Sequence, residues 1–262
     1  MSNSIHQLVT DQFAPTAASY AVSAVHGNAQ ALAELVALVD PKPTDEVLDV
    51  ATGAGHVALA FAPRVAKVVA YDLTPSMLEQ TLASARGRGL SNIETQQGTA
   101  EKLPFADASF DIYTVRLAPH HFADTAESVR EAARVLRPGG RYLVVDTASP
   151  EDAGLAVELD EIERLRDPSH VHNYSPSEWR QMVEDAGLTV EHEANSFCDE
   201  GRAMDFDDWV IRMRTPEDAV TELRRRFTQA SPELRRLLDI SIDGNRIGFR
   251  LPQVTMLARK AG

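Results

Sequence analysis

The 262-residue chain reads as an α/β protein built on a mostly parallel sheet with helices on both faces. Two features predict this. Between Glu46 and Ala148, short apolar runs rich in valine alternate with segments of helical periodicity. The first of these runs, "EVLDVA", passes through the glycine turn "TGAGH" directly into a helix-like segment. Sheets of this kind bind ligands beyond the carboxyl ends of their strands, and the motifs below fall at such ends.

The elements follow in order. Residues 1–44 form a helical preface, in which "NAQALAELVALV" spaces its apolar residues at helical intervals and "DPKP" stops it. "EVLDVA" is the first strand, "HVALAFA" a helix and "AKVVAYD" the second strand. "TPSMLEQTLASARGRG" reads as a helix because Thr74 can cap it, Pro75 suits its first turn and Gly87 or Gly89 ends it. "IETQQGT" is a weaker third strand and "FDIYTVRL" a fourth. In "DTAESVREAARVLRPGG", Asp124 with Glu127 makes a capping-box start and "PGG" a stop; "RYLVVDTA" is the fifth strand.

Beyond residue 150 the rhythm changes. "EDAGLAVELDEIERLRD" is an amphipathic helix. "SPSEWRQMVEDAG" is a helix with Ser175 as cap, Pro176 in the first turn, Glu178 closing the box and Gly187 stopping it. "LTVEHEANSF" is a strand, and residues 200–240 read as helical, with starts at Thr215-Pro216-Glu217 and Ser231-Pro232-Glu233. "RIGFRLPQVTMLARK" is expected to be one closing strand, with Pro252 at an edge or a bulge. The whole is expected to be a single domain, divided into 1–44, a core over 45–150 and a further part over 151–262.

At 44% hydrophobic and 25% charged residues the chain can bury a sizeable core. Its formal net charge of −13 disfavours a general nucleic-acid binder, which needs a basic surface. The basic run "ELRRRF", with Arg235 and Arg236, reads as a solvated helix face with acidic partners. A single cysteine, Cys198, rules out an internal disulfide and a Cys-cluster zinc site. There is no apolar run of the roughly 18 residues a membrane span needs, and no basic-then-apolar secretory signal. A cytoplasmic protein is expected.

The chemistry begins at the glycine turn. Gly53, Gly55 and Ala58 fit the spacing G-x-G-x-x-A, one form of the dinucleotide fingerprint. The two glycines allow a sharp turn and a close approach to a ligand, and the following helix aims its N–H groups at the same spot. Asp72, closing the second strand 23 residues after Asp49, can accept both hydroxyls of an adenosine ribose. Up to here a nicotinamide cofactor and another adenosine cofactor fit equally. Asp49 separates them. A carboxylate inside an apolar strand is costly without a partner. It repels an anionic pyrophosphate but attracts a cofactor with a cationic amino-acid end, such as S-adenosylmethionine. Its other reading is structural, as an acceptor of hydrogen bonds from the turn's own backbone.

Four ordered segments carry a resemblance: "VLDVATGAGHVALAFA", "VVAYDLTPSML", "QGTAEKLPFADASFDIYTVRLAPHHF" and "EAARVLRPGGRYLVVD". Together they resemble the class I S-adenosylmethionine-dependent methyltransferases, and in particular the group that includes the ubiquinone/menaquinone-biosynthesis enzymes. The resemblance implies a Rossmann-like, doubly wound, seven-stranded sheet with its last strand antiparallel. It also implies a helical N-terminal lid over 1–44 and a helical insertion of some forty residues before the last strand. It assigns Ala51, Gly53 and Gly55 to the methionine part of the cofactor, with Asp49 acting near its amino end through water or backbone. Asp72 would hold the ribose, Leu73 and Met77 would flank the adenine, and Thr99, Ala100 and Glu101 would border its edge. Arg116 would sit beneath the cofactor and Tyr20 would belong to the lid. Many relatives have "GDAE" where this chain has "GTAE", so Thr99 offers a hydroxyl in place of a carboxylate.

For deprotonating an acceptor, "RLAPHHF" offers His120 and His121 just beyond the fourth strand, and imidazole suits a general base near neutral pH. Adjacent residues usually diverge, so one of the two at most is expected to face the ligand. His170 and His172 could also face the site from the second half. No metal site is expected. The reading is therefore methyl transfer from S-adenosylmethionine to a small organic acceptor, yielding S-adenosylhomocysteine. The alternatives are an S-adenosylmethionine-binding protein without transfer, regulatory or promoting a cyclisation or rearrangement, and an RNA methyltransferase. Against a nucleic-acid enzyme stand the charge and "LAPH" in place of an Asn- or Asp-Pro-Pro-aromatic tetrad.

Overall fold

The computed structural model describes residues 2–17, 27–198 and 201–262. The five apolar runs form β1 (Glu46–Val50), β2 (Lys67–Asp72), β3 (Ile93–Gln97), β4 (Phe110–Arg116) and β5 (Leu136–Thr147). All their pairings are parallel. Beyond β5 lies β10 (Gln253–Lys260), antiparallel to β5 on one side and to β6 (Leu188–Ser196) on the other. The sheet order is β3-β2-β1-β4-β5-β10-β6. This is the expected seven-stranded sheet with the chain's last strand reversed. The order turns back between β1 and β4, and a crevice opens at the carboxyl ends of strands on either side of such a switch point.

Side chains alternate between the two faces of the strands. In β5, Tyr142 and Val144 join one core and Leu143 and Val145 the other. The first core is closed by α5 (Thr125–Val135) and α7 (Pro176–Asp185), through Val129, Ala132, Trp179 and Val183. The second is closed by α2 (Ala29–Val39) and α3 (His56–Phe61), through Val36, Val39, Leu59 and Phe61, and by α4 (Pro75–Gly87) through Ala85. The caps follow the sequence at α5 and α7: Asp124 accepts from Glu127 N, and Ser175 with Glu178 forms a full capping box. At α4 they do not. Thr74 makes no side-chain cap bond; its side chain is engaged by Asp72, whose Oδ1 also accepts from the Thr74 N–H. The helix before β5 also ends earlier than "PGG", at Val135, and "LRPGG" already belongs to the strand.

The second half departs from expectation twice. Residues 246–260 are two strands, not one. β9 (Arg246–Leu251) enters a separate antiparallel sheet in the order β7-β9-β8, with β7 (Arg202–Asp205) and β8 (Ser241–Asp243), whereas β10 enters the main sheet. Pro252 marks the crossing: it has no N–H for a ladder, and its carbonyl accepts from Ala148 N. The insertion is accordingly not wholly helical. β7 precedes α8 (Phe206–Arg212), α9 (Glu217–Thr228) and α10 (Pro232–Leu237). These elements share a core of Phe206, Trp209, Phe227 and Phe249 with Leu159 and Ile162 of α6 (Ala153–Arg166). The "ELRRRF" arginines pair with Asp207, Glu222 and Glu161 on the surface, as a solvated helix face should. No helix among the described residues is long and apolar enough to cross a membrane.

Candidate active site

A cavity of about 170 Å³ opens at the carboxyl ends of β1, β2 and β4. Its floor begins at Asp49, 1% exposed. Oδ2 accepts from Thr52 Oγ1 at 2.5 Å and Ala58 N at 3.1 Å, and Oδ1 accepts from Thr114 Oγ1 at 2.7 Å. The carboxylate thus ties the turn, the start of α3 and β4 together, but through two side-chain hydroxyls and a helix N–H rather than through the turn's own backbone. Burial still raises its pKa to about 6, against those three hydrogen bonds. The turn itself is left-handed at Ala51 (φ 51°), Gly53 (54°) and Gly55 (84°). A Cβ on Gly55 would lie 2.6 Å from Thr81 Cγ2, so this glycine is required by packing. A Cβ on Gly53 would meet nothing within 4 Å among the described residues.

Asp72 closes β2 and is 8% exposed. Its Oδ2 accepts from Gly53 N and its Oδ1 from Thr74 N, each at 2.8 Å. The Thr74 side chain and the Leu73 backbone also bond to this carboxylate, so ribose hydroxyls would share or displace those bonds. Burial raises its pKa, opposed by the Thr74 and Gly53 backbone bonds, the Thr74 side chain and the Leu73 backbone. Leu73, Met77, Thr99, Ala100 and Glu101 line the cavity beside it. Tyr71, which sequence reasoning did not single out, sets this wall. Its hydroxyl donates to Thr99 O at 3.2 Å, and a Cβ on Gly98 would strike it at 1.8 Å. The signal was a tyrosine next to the strand-ending aspartate, whose partner glycine is distant in sequence. Glu101 does more than border the wall. Oε1 accepts from Ala123 N at 2.9 Å, and Oε2 lies 3.4 Å from His6 Nε2 on α1 (Ser2–Phe13).

That helix covers the cavity. His6, Val9 and Phe13 line it. Gln12 Nε2 donates to Met213 O at 2.6 Å, Arg214 donates to Asp11 O and Gln12 O, and Ser76 Oγ donates to Ala14 O. The expected N-terminal lid is thereby anchored to both the core and the insertion. Tyr20 lies outside the described residues.

Past β4, Arg116 lines the cavity, and burial lowers its pKa against the opposing charge of Asp49. The chain then turns through Leu117 (φ 54°) into a single helical turn, Pro119–His121. Adjacent side chains were expected to diverge here. Instead His120 and His121 both line the cavity, with ring centroids 4.2 Å apart. His120 Nδ1 lies 2.6 Å from Asp146 Oδ1, while its backbone N–H donates to Asp146 Oδ2 at 2.9 Å. The carboxylate assigns the proton to Nδ1, leaving the Nε2 lone pair for the cavity. His121 is held on both sides: Nδ1 is 3.1 Å from Ser169 O and Nε2 is 3.8 Å from Asp167 Oδ2. Burial pushes the pKa of both imidazoles below the ordinary value, so both are neutral at pH 7. Burial also raises Asp146 to about 7, opposed by the Thr147 and His120 backbone bonds. His170 and His172 do not line the cavity. Both bond to Asp160, where burial favours the neutral acid but their hydrogen bonds outweigh it and hold the carboxyl low. Among the described residues no group of three or more His, Cys, Asp and Glu side chains is arranged to hold a metal ion.

A switch-point cavity floored by a glycine turn, on a seven-stranded sheet with β10 reversed, defines the class as that of the Rossmann-like methyltransferases. Comparison with known proteins narrows this. Residues 48–144 match a family model described as a methyltransferase domain. The uncharacterized methyltransferase YcgJ of Bacillus subtilis is 38% identical over 233 residues, covering 89% of this chain and 90% of the relative. Its solved structure aligns with a TM-score of 0.82 over 89% of this chain and 99% of that one. A structure from Bacillus halodurans aligns with a TM-score of 0.84 at 39% identity, over 89% and 100%. The ubiquinone/menaquinone biosynthesis C-methyltransferase of Dinoroseobacter shibae is 37% identical over 123 residues, 46% of this chain and 49% of the relative. The chain belongs to the class I S-adenosylmethionine-dependent methyltransferase family.

Proposed function

We propose that this protein transfers a methyl group from S-adenosylmethionine to a small organic acceptor and releases S-adenosylhomocysteine. The observation that carries this reading is the Asp72 carboxylate, which ends β2, lines the cavity and is bonded to Gly53 N, beside a turn with no described atom within 4 Å of a Cβ on Gly53. The donor set fits the cofactor. Asp72 would take the ribose, Leu73, Met77 and Ala100 the adenine faces, and Thr99 and Glu101 its edge. Ala51, Gly53 and Gly55 would receive the methionine part. Asp49, already bonded to Thr52 and Ala58 N, would favour the cationic amino end through those groups rather than by direct contact. When bound, the cofactor supplies a methyl group activated by a sulfonium.

The protein's own part is alignment and proton handling. Alignment of two bound reactants is worth up to about 7 kcal/mol or more of barrier in favourable cases. Helix α1, held at Met213 and Ser76, excludes water from the cavity. His120 is the general base: Asp146 fixes its ring and tautomer, and Nε2 receives the acceptor's proton. His121, engaged by Ser169 and Asp167, positions the loop and walls the site. We place the activity in the cytoplasm, since the lone Cys198 needs no oxidising compartment.

Calorimetric titration tests the cofactor. S-adenosylhomocysteine should bind and NAD should not; the opposite pattern overturns the reading. A screen of small acceptors with isotope-labelled methyl donor, read by mass spectrometry, tests transfer. A protein that binds the cofactor but labels nothing across phenols, amines, acids and activated carbons would be a binding protein instead.

A further inference from the structure

The wall opposite the glycine turn has a composition that methyl transfer alone does not require. Four guanidinium groups line the cavity: Arg116, Arg166, Arg202 and Arg212. On that side two carboxylates, Glu163 and Asp167, accompany them. This reverses the balance of a chain whose net charge is −13. Arg166 is committed to the fold. It lies 3.4 Å from Glu163 Oε2, donates to Trp209 O and stacks on the Trp209 ring at 4.6 Å. Asp167 accepts from Ser169 and faces His121.

Arg202, on β7, differs. Among the described residues its buried Nε has no hydrogen-bond partner, and the buried Glu163 Oε1 likewise has none. Burial lowers its pKa to about 10. Glu163 opposes that shift, while Arg116, Arg166 and Arg212 add to it. A buried N–H without an acceptor is costly, and a guanidinium fork matches the two oxygens of an oxyanion. Beside these charged groups the lining also includes the apolar Met204, Met213 and Leu251.

We propose that the acceptor is a small organic acid whose oxyanion, a carboxylate or a phosphate, is held by the Arg202 guanidinium with its apolar body against Met204, Met213 and Leu251. The term acceptor rests on the methyl-transfer reading; the anion site does not. The site explains why positive charge is gathered where a neutral aromatic substrate would gain nothing from it.

The test uses the whole chain and three probes of one shape: benzoate, phenyl phosphate and benzamide. Thermal unfolding is followed with and without S-adenosylhomocysteine at one ionic strength set by sodium chloride. At millimolar probe, benzoate or phenyl phosphate should raise the melting temperature by several degrees and benzamide should not. The larger of the two shifts identifies the oxyanion. Arg202→Gln should abolish the shift, Arg202→Lys should keep part of it, and both should bind S-adenosylhomocysteine within twofold of wild type, which also certifies their folding. Equal shifts from benzamide and benzoate would overturn the proposal. So would a full benzoate shift in Arg202→Gln, or a tenfold loss of S-adenosylhomocysteine affinity in both variants, which would give the arginine to the cofactor. A wild type that fails to bind S-adenosylhomocysteine defeats the cofactor reading alone, because the probe arm without it still decides the anion site.

Discussion

Replacing Asp49 with Asn separates what the carboxylate costs the fold from what it supplies to the site. In the folded chain burial raises its pKa from 3.8 to about 6. A folded pKa above the unfolded value gives a stabilisation that is complete below the unfolded pKa and lost as pH rises through the folded one. The shift of roughly two units corresponds to about 3 kcal/mol, and most of it is lost by pH 7. The amide of Asp49→Asn retains the bonds at the turn, since its carbonyl can accept from Thr52 Oγ1 and Ala58 N. Its NH2 then faces Thr114, whose hydroxyl can turn to accept. Urea unfolding from pH 4.5 to 7.5 should therefore show the stability difference widening in the variant's favour by about 2 kcal/mol. Over the same range its affinity for S-adenosylmethionine should fall tenfold or more, about 1.4 kcal/mol, by calorimetry. A difference that stays constant with pH would refute the desolvation argument. Wild-type affinity in the variant would refute the role assigned to the charge.

Three further outcomes are expected. Asp72→Ala removes the ribose acceptor and leaves Gly53 N and Thr74 N without theirs, so S-adenosylhomocysteine affinity should fall about a hundredfold and stability by about 1–3 kcal/mol; unchanged calorimetric affinity would remove the ribose assignment. Gly55→Ala forces a Cβ against Thr81 and should lower the melting temperature by several degrees, whereas Gly53→Ala carries only the left-handed backbone cost of about 1–2 kcal/mol and should act mainly on cofactor binding, so the two variants should rank oppositely in thermal and calorimetric assays. His120→Ala and Asp146→Asn should each lower turnover tenfold or more with cofactor affinity intact, while His121→Ala should cost less; because Asp146, raised to about 7, must be ionised to hold the Nδ1 proton of neutral His120, wild-type turnover should fall as pH drops through about 7, and a profile level from pH 8 to 6 would contradict that role.

The half of the molecule that was legible in the sequence is the half made of contiguous segments. Parallel strands buried on both faces read as apolar runs, so "VVAY" and "YLVV" announced β2 and β5, and Asp49 stood out as a charge within such a run. The glycine turn, Asp72 and the Thr99–Glu101 segment each sit at or just beyond the end of their strand, and one motif records each of them. The rest depends on partners far away in the chain. "RAMD" and "SID" are too short to display a period, and become β7 and β8 only by pairing with β9. Nothing within 246–260 says that Pro252 divides residues destined for two sheets, because sheet membership belongs to the neighbour and not to the segment. The expected divergence of His120 and His121 failed for a local reason, the tight turn entered through Leu117, and Asp146 from the next strand then fixed the result. The acceptor wall is the extreme case. α1, the turn after β4, α6, β7 and α8 each contribute to it, and Arg202 lies in a stretch with no periodicity to mark it. A wall assembled from so many separate segments can change its chemistry without disturbing the cofactor floor. That separation explains why the family resemblance assigns expected floor residues one by one, while the charge proposed for the acceptor is argued from the assembled cavity.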